Sequence, residues 1–285
     1  MPGEGLRERL TTHEGRRLRY LVGGTGPALV LCHGFIGSAE NFAEWFDALL
    51  PRRTLIVPDL PGFGASLPLR GVTTAKRLAQ AVKTAVADAD VETFDVGGLC
   101  LGAAVALELR RADPERCRRL VLHTPLLAPH IVRTRFHVQV RVMMSPGVYP
   151  LIVWLSRRRV VSDLYKRLVV EGSNVDAEAA LVNFENQRRA DVHATKQWLL
   201  EGLRRHDLEL IRDPEHPVLI LLARDDRIVD VPRLVEAVRG DQRVHVAVLD
   251  EAGHGWTKDY VRRQLALITA FLDDLPLPDV SGVAA

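Results

Sequence analysis

Lysine, cysteine, net charge and long apolar runs are all scarce in this sequence, and each shortage narrows what the chain can be. Lys76, Lys83, Lys166, Lys196 and Lys258 are the only lysines, so the other 33 of the 38 basic residues are arginine. That skew reads as the codon bias of a GC-rich genome, which lowers the weight of any single arginine cluster. Acidic residues number 36, and the formal charge of +2 makes no general case for nucleic-acid binding. Cys32, Cys100 and Cys117 are odd in number and have neither disulfide nor metal-ligand spacing. The expected setting is therefore the reducing cytoplasm, where a free thiol remains a nucleophile. The most apolar stretch, Val142 to Leu155, is short and holds Pro146, Gly147 and Pro150, so no integral membrane protein is expected. The first residues carry no apolar signal core. No nucleotide, flavin or metal motif occurs, and neither a cofactor nor a metal is expected.

What remains is a composition, 47% hydrophobic and 26% charged, that suits a globular enzyme with a full core. Short apolar runs alternate with helical periodicity, the pattern of a parallel sheet covered on both faces. Strands are predicted at Arg16–Val22, Ala28–Cys32, Thr54–Val57, Thr93–Leu99, Leu120–His123, Val218–Leu222 and Val244–Leu249. Helices are predicted at Ala39–Leu50, Thr73–Ala89, Ala103–Arg111, Pro232–Arg239 and Trp256–Leu272. Between about Leu126 and Asp213 the pattern is helical without a convincing strand. The expected organisation is a core over 1–125, a helical cap or lid over 126–213, the rest of the core over 214–275, and a tail over 276–285.

One motif carries chemistry by its setting. Gly98-Leu99-Cys100-Leu101-Gly102 joins a predicted strand to a predicted helix, the G-x-S-x-G nucleophile elbow with cysteine for serine. A sharp strand-to-helix turn needs small flanking residues, and a thiol at a helix N-terminus is favoured as thiolate. A buried structural cysteine on a glycine-rich turn is the plain alternative, and the partners decide between them.

His33-Gly34-Phe35-Ile36-Gly37-Ser38 follows the strand Ala28–Cys32, and Asp59-Leu-Pro-Gly-Phe-Gly-Ala-Ser66 follows the next. With the elbow, these segments resemble the α/β-hydrolase superfamily across about Leu6–Pro125 and Asp213–Leu272. The resemblance implies a mostly parallel central sheet flanked by helices, and the helical block over 126–213, which no motif of the resemblance covers, reads as a cap inserted between two of its strands. It also implies an oxyanion hole made by the backbone N–H groups of Phe35 and Leu101, with His33 supporting the loop. His254, in Glu251-Ala-Gly-His-Gly-Trp256, is the base candidate, after the last predicted strand and between glycines. Asp226, in Ala223-Arg-Asp-Asp-Arg-Ile-Val229, is the acid candidate, and Asp225 the fallback. The order nucleophile, acid, histidine is the one this fold uses. His33, Trp198 and Trp256 are candidate pocket residues, with loop support as the ordinary role of His33 and core packing as that of the two tryptophans.

Cysteine at the elbow suits an acyl thioester, because thiolate attack on a thioester exchanges like for like. The expected enzyme is an ester or thioester hydrolase acting through acyl-Cys100. The alternatives are an acyltransferase or cyclase with a non-water acceptor, and an inactive binding protein of the same fold. Residues 126 to 170 hold Arg133, Arg135, Arg141, Arg157, Arg158, Arg159, Lys166 and Arg167 against Asp163 alone. Such a lid suits an acyl-CoA or acyl carrier protein partner, or an anionic membrane surface. A solvated face in an arginine-biased proteome accounts for the same residues more simply.

Overall fold

A computed structural model of the chain describes residues 5–165, 177–212, 216–250, 253–254 and 258–278. Its strands are β1 (Leu6–His13), β2 (Arg16–Gly24), β3 (Ala28–Cys32), β4 (Thr54–Pro58), β5 (Phe94–Leu99), β6 (Cys117–His123), β7 (Val218–Ala223) and β8 (Val244–Leu249). They form one sheet in the order β1-β2-β4-β3-β5-β6-β7-β8. β1–β2 and β2–β4 pair antiparallel, and every later pair is parallel. This is the α/β-hydrolase fold.

Side-chain alternation along the strands builds two cores, one on each face. In β3, Ala28, Val30 and Cys32 join one cluster while Leu29 and Leu31 join the other. β7 divides in the same way, with Val218, Ile220 and Leu222 facing opposite to Leu219, Leu221 and Ala223. Helices α1 (Ala43–Leu49), α2 (Ala75–Asp88) and α3 (Gly102–Ala112) follow β3, β4 and β5. α2 and α3 cover the first face through residues such as Leu78, Val82, Val105 and Leu109. α1 covers the second through Trp45, Phe46 and Leu49.

Between β6 and β7 run α4 (Thr134–Met143), α5 (Tyr149–Ser156), α6 (Arg159–Tyr165), α7 (Ala177–Arg189), α8 (Val192–Gly202) and α9 (Leu208–Ile211). α10 (Val231–Ala237) and α11 (Lys258–Leu272) follow β7 and β8. Asp191 caps α8 by accepting from the Ala194 N–H, and α8 buries Ala194, Thr195, Trp198 and Leu199 against the core. No helix among the described residues is long and apolar enough to cross a membrane.

The parallel register fixes where loops meet. Cys32 pairs with Gly98, Leu99 with His123, and Ala223 with Leu249. The residues that follow β3, β5, β6, β7 and β8 therefore emerge together at one end of the sheet, where open α/β folds bind ligands. At the opposite end, beside the starts of β3 and β5, lies a cleft lined by Arg53, Asp95, Arg119, Asp273 and Asp274. Those groups are ion-paired with one another.

Candidate active site

Cys100 occupies the turn between β5 and α3 with φ +52°, a left-handed conformation unusual for a residue with a side chain. The turn is held by the Cys100 N–H donating to the His123 carbonyl at 2.9 Å. It is also possible only with glycine on both sides. A Cβ at Gly98 would come within 2.5 Å of the Gly102 carbonyl, and one at Gly102 within 2.4 Å of the carbonyls of Cys32 and His33. Backbone segments thus touch where the elbow motif places its glycines. Cys100 is partly exposed, whereas Cys32 and Cys117 are buried. Burial pushes the Cys32 thiol far up, so it stays protonated.

His254 and Asp226 meet beside this turn. The His254 Nδ1 lies 2.8 Å from Asp226 Oδ2, and the Cys100 thiol is a second hydrogen-bond partner of the ring. Asp226 is completely buried, and its other oxygen accepts the N–H groups of Ile228 at 2.7 Å and Val229 at 2.8 Å. Arg133 fastens the same turn by donating to the carbonyls of Asp226 and Val229. Asp225, one residue earlier, is exposed. Burial disfavours charge on both members of the pair. On His254 it is outweighed by the Asp226 carboxylate and the Cys100 sulfur, and the imidazole pKa stands well above its ordinary value. On Asp226 it is outweighed by His254 and the two backbone N–H donors, and the carboxyl pKa is lowered. The Asp226 carboxylate and the Cys100 sulfur thus both favour the protonated form of the ring.

The loop after β3 closes the third side. Gly34 lies against Cys100, and Ile36 is also left-handed at φ +54°. Among the described residues, neither the Phe35 nor the Leu101 N–H finds an acceptor. His33 is fully buried behind this loop, with Nδ1 donating to the Gly34 carbonyl and Nε2 accepting the Leu60 N–H, both at 2.9 Å. Both nitrogens are committed, so His33 braces the loop and presents no nitrogen to a pocket. Asp59 grips the loop from beneath by accepting from the Ala39 N–H, the Ala65 N–H and Arg19. Asn41 fixes its far end. Its Oδ1 accepts from the Ser38 N–H at 2.8 Å and from Asn186 at 3.1 Å, and its Nδ2 donates to Asn183 at 2.9 Å. Asn183 and Asn186 belong to α7, so this ladder joins the loop to the helices above the sheet.

Trp198 is fully buried in α8 and packs on Phe63 and His33, a core position. Trp256 lies outside the described residues. Sequence reading passed over His123 at the end of β6, taking it only as the last residue of a strand. Its Nε2 lies 2.7 Å from the Tyr260 hydroxyl of α11. Burial first, and the neighbouring His254 charge second, push it down to about 3, against the pull of Asp226. The one signal available was its place at a strand's C-terminal end, which His-Thr-Pro marks.

The α/β hydrolase fold family matches the chain over residues 27–256. A pyrrolizixenacetamide deacetylase of Xenorhabdus hominickii is 32% identical over 120 residues, 42% of this chain and 45% of that protein. A dihydrolipoyllysine-residue acetyltransferase component of an acetoin cleaving system, from Cupriavidus necator, is 32% identical over 165 residues. That match covers 54% of this chain and 44% of the relative. The chain thus spans less than half the length of either relative. The crystal structure of E-2-(acetamidomethylene)succinate hydrolase superposes with a TM-score of 0.78 at 20% identity, over 94% of this chain and 99% of that one, a likeness of fold.

Proposed function

The chain belongs to the α/β hydrolase fold family, and on that premise we propose that it hydrolyses esters or thioesters through an acyl intermediate on Cys100. The observation that carries the reading is the convergence of the strained Cys100 turn with the His254–Asp226 hydrogen bond of 2.8 Å. With Nδ1 given to Asp226, the Nε2 edge of His254 is the one that serves Cys100.

In the proposed reaction the Cys100 sulfur attacks the acyl carbonyl carbon and a C–S bond forms. The negative charge that develops on the carbonyl oxygen is met by the N–H groups of Phe35 and Leu101. One such donor lowers a barrier by about 3 kcal/mol in a water-poor site. Collapse breaks the bond to the alkoxide or thiolate, which takes the proton from His254. Water then gives a proton to His254 and attacks the thioester. The C–S bond breaks, and the carboxylic acid leaves as the Cys100 sulfur and the charged imidazole are restored. Asp226 holds the tautomer throughout and offsets the imidazolium charge.

The helices between β6 and β7 act in this reading as a lid over the site, and α7 reaches the oxyanion loop through the asparagine ladder. The names of the two relatives, a deacetylase and an acetyltransferase component, both denote acyl-group chemistry. The second supports transfer to an acceptor other than water as the alternative fate of the same intermediate.

Cys100→Ala removes the attacking atom and is expected to lower hydrolysis of chromogenic esters and acyl thioesters to the uncatalysed rate. Cys100→Ser keeps a nucleophile in place and retains part of the ester hydrolysis. An alanine variant with undiminished turnover contradicts the assignment.

A further inference from the structure

α5 is the sequence Tyr-Pro-Leu-Ile-Val-Trp-Leu-Ser, yet none of its side chains is buried. Its neighbours repeat the pattern. α4 turns Val138 and Val142 to solvent, α5 Leu151 and Trp154, and α6 Val160 and Leu164. Each pair is spaced i, i+3 or i, i+4, so each helix carries an outward apolar stripe. These are not marginal exposures: Trp154 is 55% exposed and Val160 79%. Exposed arginines stand near these residues in the chain, Arg135 and Arg141 in α4, Arg157 and Arg158 between α5 and α6, and Arg159 at the start of α6. Arg135 donates to the Arg227 carbonyl, and Arg159 pairs with Asp163, the one acidic residue from 134 to 164. Arg158 lies 4.5 Å over the Trp154 ring, so cation and aromatic face share one spot. Tyr149 ties the start of α5 down by donating to the Val192 carbonyl.

We propose that the outward face of α4, α5 and α6 is a docking surface for an anionic lipid bilayer. The chemistry commits to that occupant. Short apolar stripes with a tryptophan suit the boundary between headgroups and acyl chains, and arginines beside them suit phosphate headgroups. A second copy of the chain would set five arginines against five, which repels. An acidic protein could match the charge, but Leu151, Trp154, Val160 and Leu164 on two consecutive short helices form separate wedges suited to insertion into a fluid phase. The surface is peripheral, consistent with the lack of a spanning helix among the described residues. It is also independent of the reaction at Cys100.

The test is sedimentation of the full chain with vesicles of phosphatidylcholine alone or with about 30% phosphatidylglycerol, at low and high salt. Binding is expected only to the anionic vesicles, weakened by salt, with a blue shift of Trp154 fluorescence. Arg157→Glu with Arg158→Glu is expected to weaken binding by more than about tenfold. Trp154→Ser removes the blue shift and weakens binding to the same anionic vesicles. Thermal melting of each variant, expected to match the parent, shows that the fold is kept without calling on enzymatic activity. Three results overturn the proposal: no binding to anionic vesicles, equal binding to neutral ones, or variants that bind as the parent does. A dimer in solution that the same substitutions dissociate also overturns it, in favour of self-association.

Discussion

Asp226 spends both carboxylate oxygens on neighbours, one on His254 and one on two backbone N–H groups, and each of these bonds favours its charged form. Asp226→Asn removes the charge that most strongly favours protonated His254. The imidazole titration, followed by NMR, is expected to fall from above the ordinary value of about 6.5 to below that of the parent. Turnover in the proposed reaction is expected to fall by about 10⁴, because the amide imposes the wrong tautomer. An unchanged histidine titration contradicts the electrostatic account. In the sequence Asp226 stands out only through the resemblance of Ala223–Val229 to the family's pattern after this strand, with Asp225 as the fallback. Asp226 and Asp225 differ by one position, and the turn after β7 buries the first and exposes the second. His123 was not readable. Its neighbour Tyr260 lies 137 residues away, and only the sheet order brings β6 beside α11. His33 and Trp198 were offered as pocket residues because aromatic type says nothing about burial. Packing against Phe63 decides their place.

At the scale of elements, the loop after β3 and helix α7 are coupled through Asn41, Asn183 and Asn186. Asn41→Ala deletes an acceptor for the Ser38 N–H and both links to α7. The expected cost is about 1–3 kcal/mol of stability. Because this loop carries the Phe35 N–H, proposed above as an oxyanion donor, kcat is expected to fall by about tenfold to a hundredfold, part of the way to losing one such donor. KM is expected to change far less. A variant that melts lower but keeps its kcat assigns the ladder to stability alone. β3, which leads into this loop, is legible as a short, wholly apolar run. β1 is not, because Leu-Arg-Glu-Arg-Leu-Thr-Thr-His shows no sustained alternation and Leu10 is exposed. Its place comes from the turn at Glu14 and Gly15, both left-handed, which folds it onto β2. Pairing on a sheet edge does not need a hydrophobic face, so periodicity carries no trace of it.

For the whole molecule, buried histidines set how stability responds to acid. His123 has its pKa near 3 in the folded chain and about 6.5 when unfolded. Between those values the unfolded chain binds more protons, so stability present above about pH 6.5 is lost as pH falls toward 3. His254 has the opposite sign. Its contribution is complete below about pH 6.5 and lost as pH rises through its raised value, while that of Asp226 is lost only at lower pH, as its depressed carboxyl protonates. His123→Gln keeps a hydrogen-bonding partner for Tyr260 and removes the titration. The parent is expected to lose about 2 kcal/mol through this residue between about pH 7 and pH 5, and the variant's melting temperature is expected to decline less over that interval. Equal slopes contradict the burial argument. The central claim concerns the chemistry at the C-terminal end of the sheet, and it is tested most directly by intact-mass and peptide-level analysis of the chain quenched during turnover of an acyl thioester. The predicted result is a mass gain equal to the acyl group, located on the peptide that contains Cys100 and absent from Cys100→Ala. Turnover with no adduct, or an adduct on another residue, contradicts it.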